Sequence, residues 1–169
     1  MTSIPSSRRG FSLVEVTVAL GIAAFCLISL LGLLSVSLNS NQNAIQQTGA
    51  SRVATAIMAD LRATQTMIPV TVTSPLFGIS LPATGTATRT FFLTEDGSPA
   101  GLPGANADPS LNPRYRATIV LTAPATGSQK IATMARLFLT WPALADGIAA
   151  TTPANYSGSF EVMGALDRN

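Results

Sequence analysis

Catalysis draws on a short list of side chains, and this sequence withholds most of them. It contains no histidine and a single cysteine, Cys26. A Ser-His-Asp or Cys-His nucleophile system is therefore excluded. Cys26 lies within an apolar run and alone closes no intrachain disulfide. Zinc and most transition metals lose their usual ligands too, so no metal and no cofactor is expected. Glu95 and Asp96 are adjacent carboxylates in a turn. Calcium takes about six to eight oxygens, and the pair reads as solvated. No two carboxylates with supporting residues read as general acid and base. What remains is one carboxylate in an unusual place, since Glu15 is the only charged side chain between Arg9 and Arg52. Phe11, Leu13, Val14 and Val16 bracket it. Its chemistry would be pairing. A carboxylate at the centre of a membrane helix costs roughly 2.5–3.5 kcal/mol and less near the edge, which a partner cation would offset. The plainer reading is that Glu15 sits at the membrane interface and suits the positive end of its helix.

The elements that hold Glu15 follow from composition. Of the 169 residues, 47% are hydrophobic and only 11% charged, against the roughly 25% charged residues usual in soluble domains. The apolar excess is concentrated near the N-terminus. Val16 to Leu38 is a run of 23 residues without charge, broken in polarity only by Thr17, Ser29, Ser35 and Ser37. About 20 apolar residues suffice to span a bilayer core as a helix. Arg8 and Arg9 place the start of the chain on the cytoplasmic side, which puts the C-terminal bulk in the periplasm or beyond. These two arginines also account for the whole net charge of +2. The remainder is neutral, so no nucleic-acid partner is predicted.

A removable secretory signal has a core of roughly 7–15 residues followed by a small-residue cleavage site. Here the core is longer and runs into Asn39-Ser40-Asn41-Gln42-Asn43, with no such site. A plain signal anchor fits the span but leaves Glu15 unexplained.

The run Arg8-Arg9-Gly10-Phe11-Ser12-Leu13-Val14-Glu15-Val16 resembles the cleavage and methylation motif of type IV prepilins and type II secretion pseudopilins. That resemblance implies a prepilin peptidase that cuts after Gly10 on the cytoplasmic face and methylates Phe11 as the new N-terminus. It implies that Glu15 is the assembly carboxylate, pairing with the N-terminal amine of a neighbouring subunit. Glycine before the cut lets a protease approach the backbone closely. Residues 10–62, with the ending Ala165-Leu166-Asp167-Arg168-Asn169, are further similar to the Verru_Chthon cassette protein B subgroup. Many major pilins close a C-terminal loop with paired cysteines, which this chain lacks, and that leans toward a pseudopilin or minor role.

Beyond the span, Asn39 to Met67 contains no proline, and Pro69 is a natural stop. Ile45, Gly49, Val53, Ile57 and Leu61 recur every four residues, with Ala50, Ala54 and Met58 alongside. That is an amphipathic helical stripe. If span and stripe are continuous, the helix runs about 57 residues, roughly 85 Å. Gly21, Gly32, Ala19 and Ala23 offer small faces for helix contact, or are simply common membrane-helix residues.

From Pro69 onward prolines and glycines separate short β-rich runs. The strand candidates are Val70–Thr73, Phe77–Leu81, Thr88–Thr94, Arg114–Thr122, Ile131–Trp141 and, as a last edge strand, Ser159–Gly164. The loops Ser98–Pro113 and Ala143–Asn155 are long, and Trp141-Pro142 reads as the end of a core strand. Five or so strands without long intervening helices favour an antiparallel sheet, and the stripe is its available cover.

The expected architecture is α+β and pilin-like. It has a 1–10 leader, an 11–38 transmembrane and assembly helix, a 39–68 amphipathic helix and a 69–169 β-rich extracytoplasmic domain. The expected function is a filament subunit whose partners are prepilin peptidase, other pilin or pseudopilin subunits and inner-membrane lipid. The alternative is a monomeric, unprocessed, membrane-anchored binding protein. No enzyme activity is expected.

Overall fold

The computed structural model describes residues 10–64, 72–101, 108–125, 132–147 and 152–167. Arg8 and Arg9, Pro69, Val70, Ile131, the C-terminal Arg168-Asn169 and the middles of both long loops lie outside the described residues. The chain forms two compact units, 1–42 and 43–169. One helix, α1 (Leu13–Ala63), contributes to both.

In the first unit the helix begins just after Ser12, whose carbonyl accepts the Val16 N–H at 3.2 Å. The polar side chains of the apolar run fold back on the helix. Thr17 donates to the Val14 carbonyl at 2.9 Å, Ser29 to Phe25 at 2.9 Å and Ser35 to Leu31 at 3.4 Å. Such back-bonding satisfies hydroxyls without water, as a helix in lipid requires.

In the second unit Ala50, Val53, Ala54, Ile57, Met58 and Leu61 are buried. Their i, i+3, i+4 spacing makes one apolar stripe. They share a core with residues of a four-stranded antiparallel meander, β3 (Thr86–Leu93), β4 (Tyr115–Thr122), β5 (Thr133–Trp141) and β6 (Gly158–Leu166), in that spatial order. Register aligns Phe91, Ala117, Leu139 and Phe160 across the face toward the helix. Burying each Leu, Ile or Val of this face contributes roughly 1.5–3 kcal/mol. A one-residue slip would turn the whole set outward.

Two expectations need correction. Ile45 was placed in the stripe, yet it is 56% exposed. Tyr115 marks the limit of the sheet's cover there, its hydroxyl donating to the Gln46 carbonyl at 3.2 Å. Gly49, also in the stripe, lies against that same hydroxyl, where a Cβ would overlap it. α1 ends at Ala63, and the remainder of the expected 39–68 helix beyond Thr64 lies outside the described residues. Thr64 turns back, N–H to the Leu61 carbonyl at 3.3 Å and hydroxyl to the Asp60 carbonyl at 2.8 Å.

The second correction concerns the strand candidate Phe77–Leu81, which belongs to the smaller of two antiparallel sheets. β1 (Val72–Thr73) pairs with β2 (Ser80–Leu81) apart from the meander. Phe77–Leu81 was expected to be one strand, and its first half is a tight turn. Asp60 captures the Leu76 and Phe77 N–H groups at 3.1 Å each, and Ser74 Oγ accepts from Ile79 N–H at 3.0 Å. Backbone groups held by side chains cannot join a ladder. The other candidates hold within one to two residues at their described ends, and β6 is an edge strand as expected.

Asp60 is 6% exposed and ties the helix to the turn. Removing its carboxylate orphans two backbone donors at about 1–3 kcal/mol each. Asp60→Ala is expected to destabilise the 43–169 unit by about 3 kcal/mol and Asp60→Asn by less, since an amide keeps one acceptor. Denaturation followed by the fluorescence of the single, buried Trp141 measures both.

Candidate processing and assembly segment

Gly10 and Phe11 precede the helix in non-helical backbone, and Phe11 is 82% exposed. Both residues are open to solvent. Glu15 follows in the first turn of α1, where the unpaired N–H groups and the helix dipole favour a negative side chain. Its carboxylate is exposed and has no hydrogen-bond or ion-pair partner among the described residues. Around it sixteen large apolar side chains from Phe11 to Leu38 are exposed.

α1 is long and apolar enough to cross a membrane. Magnitudes decide how Glu15 affects this. At roughly 1.5–3 kcal/mol per buried large apolar side chain, covering sixteen is worth tens of kcal/mol. One carboxylate costs on the order of 2.5–3.5 kcal/mol at most. Glu15 therefore does not prevent insertion. It leaves a local deficit of a few kcal/mol that a nearby cation would remove. Cys26 is exposed on the same helix, with nothing beside it that would activate a thiol.

Several charged groups of the second unit hold its turns. Arg116, 1% exposed, points away from the helix side. Its Nε donates to the Ala143 carbonyl at 3.2 Å, and Nη2 donates to the Asp146 and Gly147 carbonyls at 2.9 and 2.8 Å. The guanidinium stacks 5.1 Å from the Phe92 ring centroid. Burial pulls its pKa down, and the charge of Asp146 pulls it back up. Asp146 in turn accepts from the Asn155 N–H at 2.9 Å and the Ala154 N–H at 3.1 Å. These bonds, with Asn155 first, hold its pKa below the ordinary value. Asp96 accepts the hydroxyls of Thr94 and Ser98, which lower its pKa likewise. The turn they close needs the positive φ of 91° that Gly97 supplies. The Glu95-Asp96 pair thus serves a turn.

Asp60, Arg116 and Asp146 were not singled out in the sequence. Arg116 lies within an alternating strand, where a charge reads as solvent-facing. Only the fold shows that the 142–147 turn closes over it.

These features define an α+β, pilin-like architecture whose helix is long and apolar enough to cross a membrane. Residues 5–35 match the family model described as "Prokaryotic N-terminal methylation motif", and the matched segment contains Gly10, Phe11 and Glu15. The chain thus carries a prepilin-type motif that runs into a helix apolar enough to cross a membrane. No curated protein and no solved structure matches the chain.

The lowered Asp146 pKa fixes a pH dependence. A carboxyl whose folded pKa is depressed adds stability at pH above its unfolded value, ordinarily 3.8, and loses it as pH falls through the folded value. Trp141-detected stability is expected to be flat from pH 7 to 5 and to fall below pH 3.8. In Asp146→Asn the fall should be shallower and the neutral-pH stability lower.

Proposed function

We propose that this chain is a structural subunit of pseudopilin or minor-pilin type. A prepilin peptidase hydrolyses the Gly10–Phe11 peptide bond and methylates the Phe11 amine. The mature chain then enters a pilus-like or type II secretion-like filament. The observation that carries this reading is the pairing of two things on one segment: the prepilin-type match over 5–35, and a lone unpartnered carboxylate on a helix its own unit does not cover. Cleavage creates a cationic amine on residue 11. Glu15 of one subunit and the amine of its neighbour then neutralise each other in a low-dielectric setting, where such pairs matter most. Pairing selects the register at which subunits dock, and the exposed apolar side chains supply the bulk of the association energy.

In this reading the helix starts in the bacterial inner membrane with a cytoplasmic N-terminus and a periplasmic 43–169 unit. Inner-membrane lipid covers the helix until neighbouring subunits do. The chain itself catalyses nothing. The likeness of residues 10–62 to the Verru_Chthon cassette protein B subgroup fits an accessory role. The second reading, an unprocessed membrane-anchored binding protein, draws on the separate core and the outward groove of the 43–169 unit.

Intact-mass and N-terminal analysis of protein from native membranes separates the two. Filament subunits begin at N-methylated Phe11, whereas the anchored binder keeps Met1–Gly10. Glu15→Ala tests the pairing: cleavage is expected to proceed normally while recovery in sheared filaments drops at least tenfold. Unchanged incorporation of Glu15→Ala would remove the carboxylate from the mechanism.

A further inference from the structure

The outward face of the four-stranded sheet, away from α1, carries a half-open groove of about 430 Å³. That lies within the size range of small-molecule sites, roughly 300–1,000 Å³. Val120, Phe138 and Pro153 give it an apolar lining, and Thr88, Thr118 and Arg136 line it with polar groups. Register accounts for the arrangement. Thr88, Val120, Arg136 and Met163 form one cross-strand row, and Thr90, Thr118, Phe138 and Glu161 form the next. Phe138 is held edge-on by Tyr156, ring centroids 5.8 Å apart.

Two polar groups here have unused capacity. Thr118 is 6% exposed and its hydroxyl oxygen is buried with no hydrogen-bond partner. Buried polar groups are rarely left so, because each costs about 1–3 kcal/mol. A rotation of roughly 120° about χ1 moves the hydroxyl to another staggered position without sacrificing an existing hydrogen bond. Arg136 donates from Nε to Glu161 at 2.5 Å, and its terminal N–H groups have no other partner among the described residues.

Charge then narrows the occupant. Glu161 already neutralises Arg136, so an anion would meet the carboxylate and a cation the guanidinium. An extended peptide backbone is disfavoured too. β4 and β5 are interior strands with both edges paired, which leaves no free ladder for strand addition.

We infer that the groove binds a small uncharged amphiphile, with an apolar ring or chain against Val120, Phe138 and Pro153 and one hydroxyl between Thr118 and Arg136. This site is independent of the filament reading, since every residue in it belongs to the 43–169 unit.

Four probes share one ring and differ in the head group: p-cresol, toluene, p-toluate and 4-methylbenzylamine. Each is titrated into the full chain in lipid nanodiscs while methyl NMR signals of Thr118 and Val120 are followed, with core Ala54 as control. Saturable shifts at Thr118 and Val120, with p-cresol tightest, are expected. Thr118→Val should weaken p-cresol about tenfold, the effect of losing one hydrogen bond. It should leave toluene unchanged and the melting temperature no lower. Thr118→Ser should restore p-cresol binding. The proposal is overturned if no probe moves these signals, if all four bind alike, if a charged head binds best, or if Thr118→Val binds p-cresol as the native chain does.

Discussion

Water tolerates a continuous apolar surface poorly, and residues 13–38 present such a surface along one helix. Large exposed apolar patches mark membrane or protein contacts, and this one is too long to be incidental. A lipid bilayer covers it without any specific contact. A ring of identical helices covers it as well, and adds register wherever a polar group must find its mate. In the proposed filament Glu15 is the polar group that imposes that choice. The scarcity of charge along the helix is what gives a single carboxylate its weight.

The 43–169 unit meets a different requirement. It must fold around a helix whose continuation is apolar, and it does so by using only one stripe of that helix. The stripe and the inner sheet face close one core. Two charged side chains then fasten what the core does not reach. Asp60 holds the turn before β2 by two backbone N–H groups, and Arg116 holds the turn after β5 by three carbonyl contacts. In both cases a charge is buried only with its hydrogen-bonding capacity used, which is the condition under which burial is tolerated. The meander order keeps neighbours in sequence adjacent in space, so register follows from alternating side chains without long crossovers.

Much of this was legible before any fold was known. The apolar span, the Gly10-Phe11 junction and the position of Glu15 are local in sequence, and their physics needs no tertiary partner. The 3.6-residue spacing from Ala50 to Leu61 announced a covered face, and the alternation in Ile131–Trp141 announced a core strand. Ile45 misled because periodicity says which face a residue shares, while the extent of the sheet decides whether anything covers it. Phe77–Leu81 misled because its strand-forming residues lie where Asp60 takes the backbone donors first.

What the sequence determined by itself is therefore the apolar segment and its prepilin-type motif, because hydropathy, charge and motif spacing act over a few consecutive residues. The tertiary structure alone decided the roles of Asp60, Arg116 and Asp146 and the outward groove beside Thr118. Each of those depends on groups brought together from distant parts of the chain, and no spacing along one strand or helix records which loop will close over which side chain.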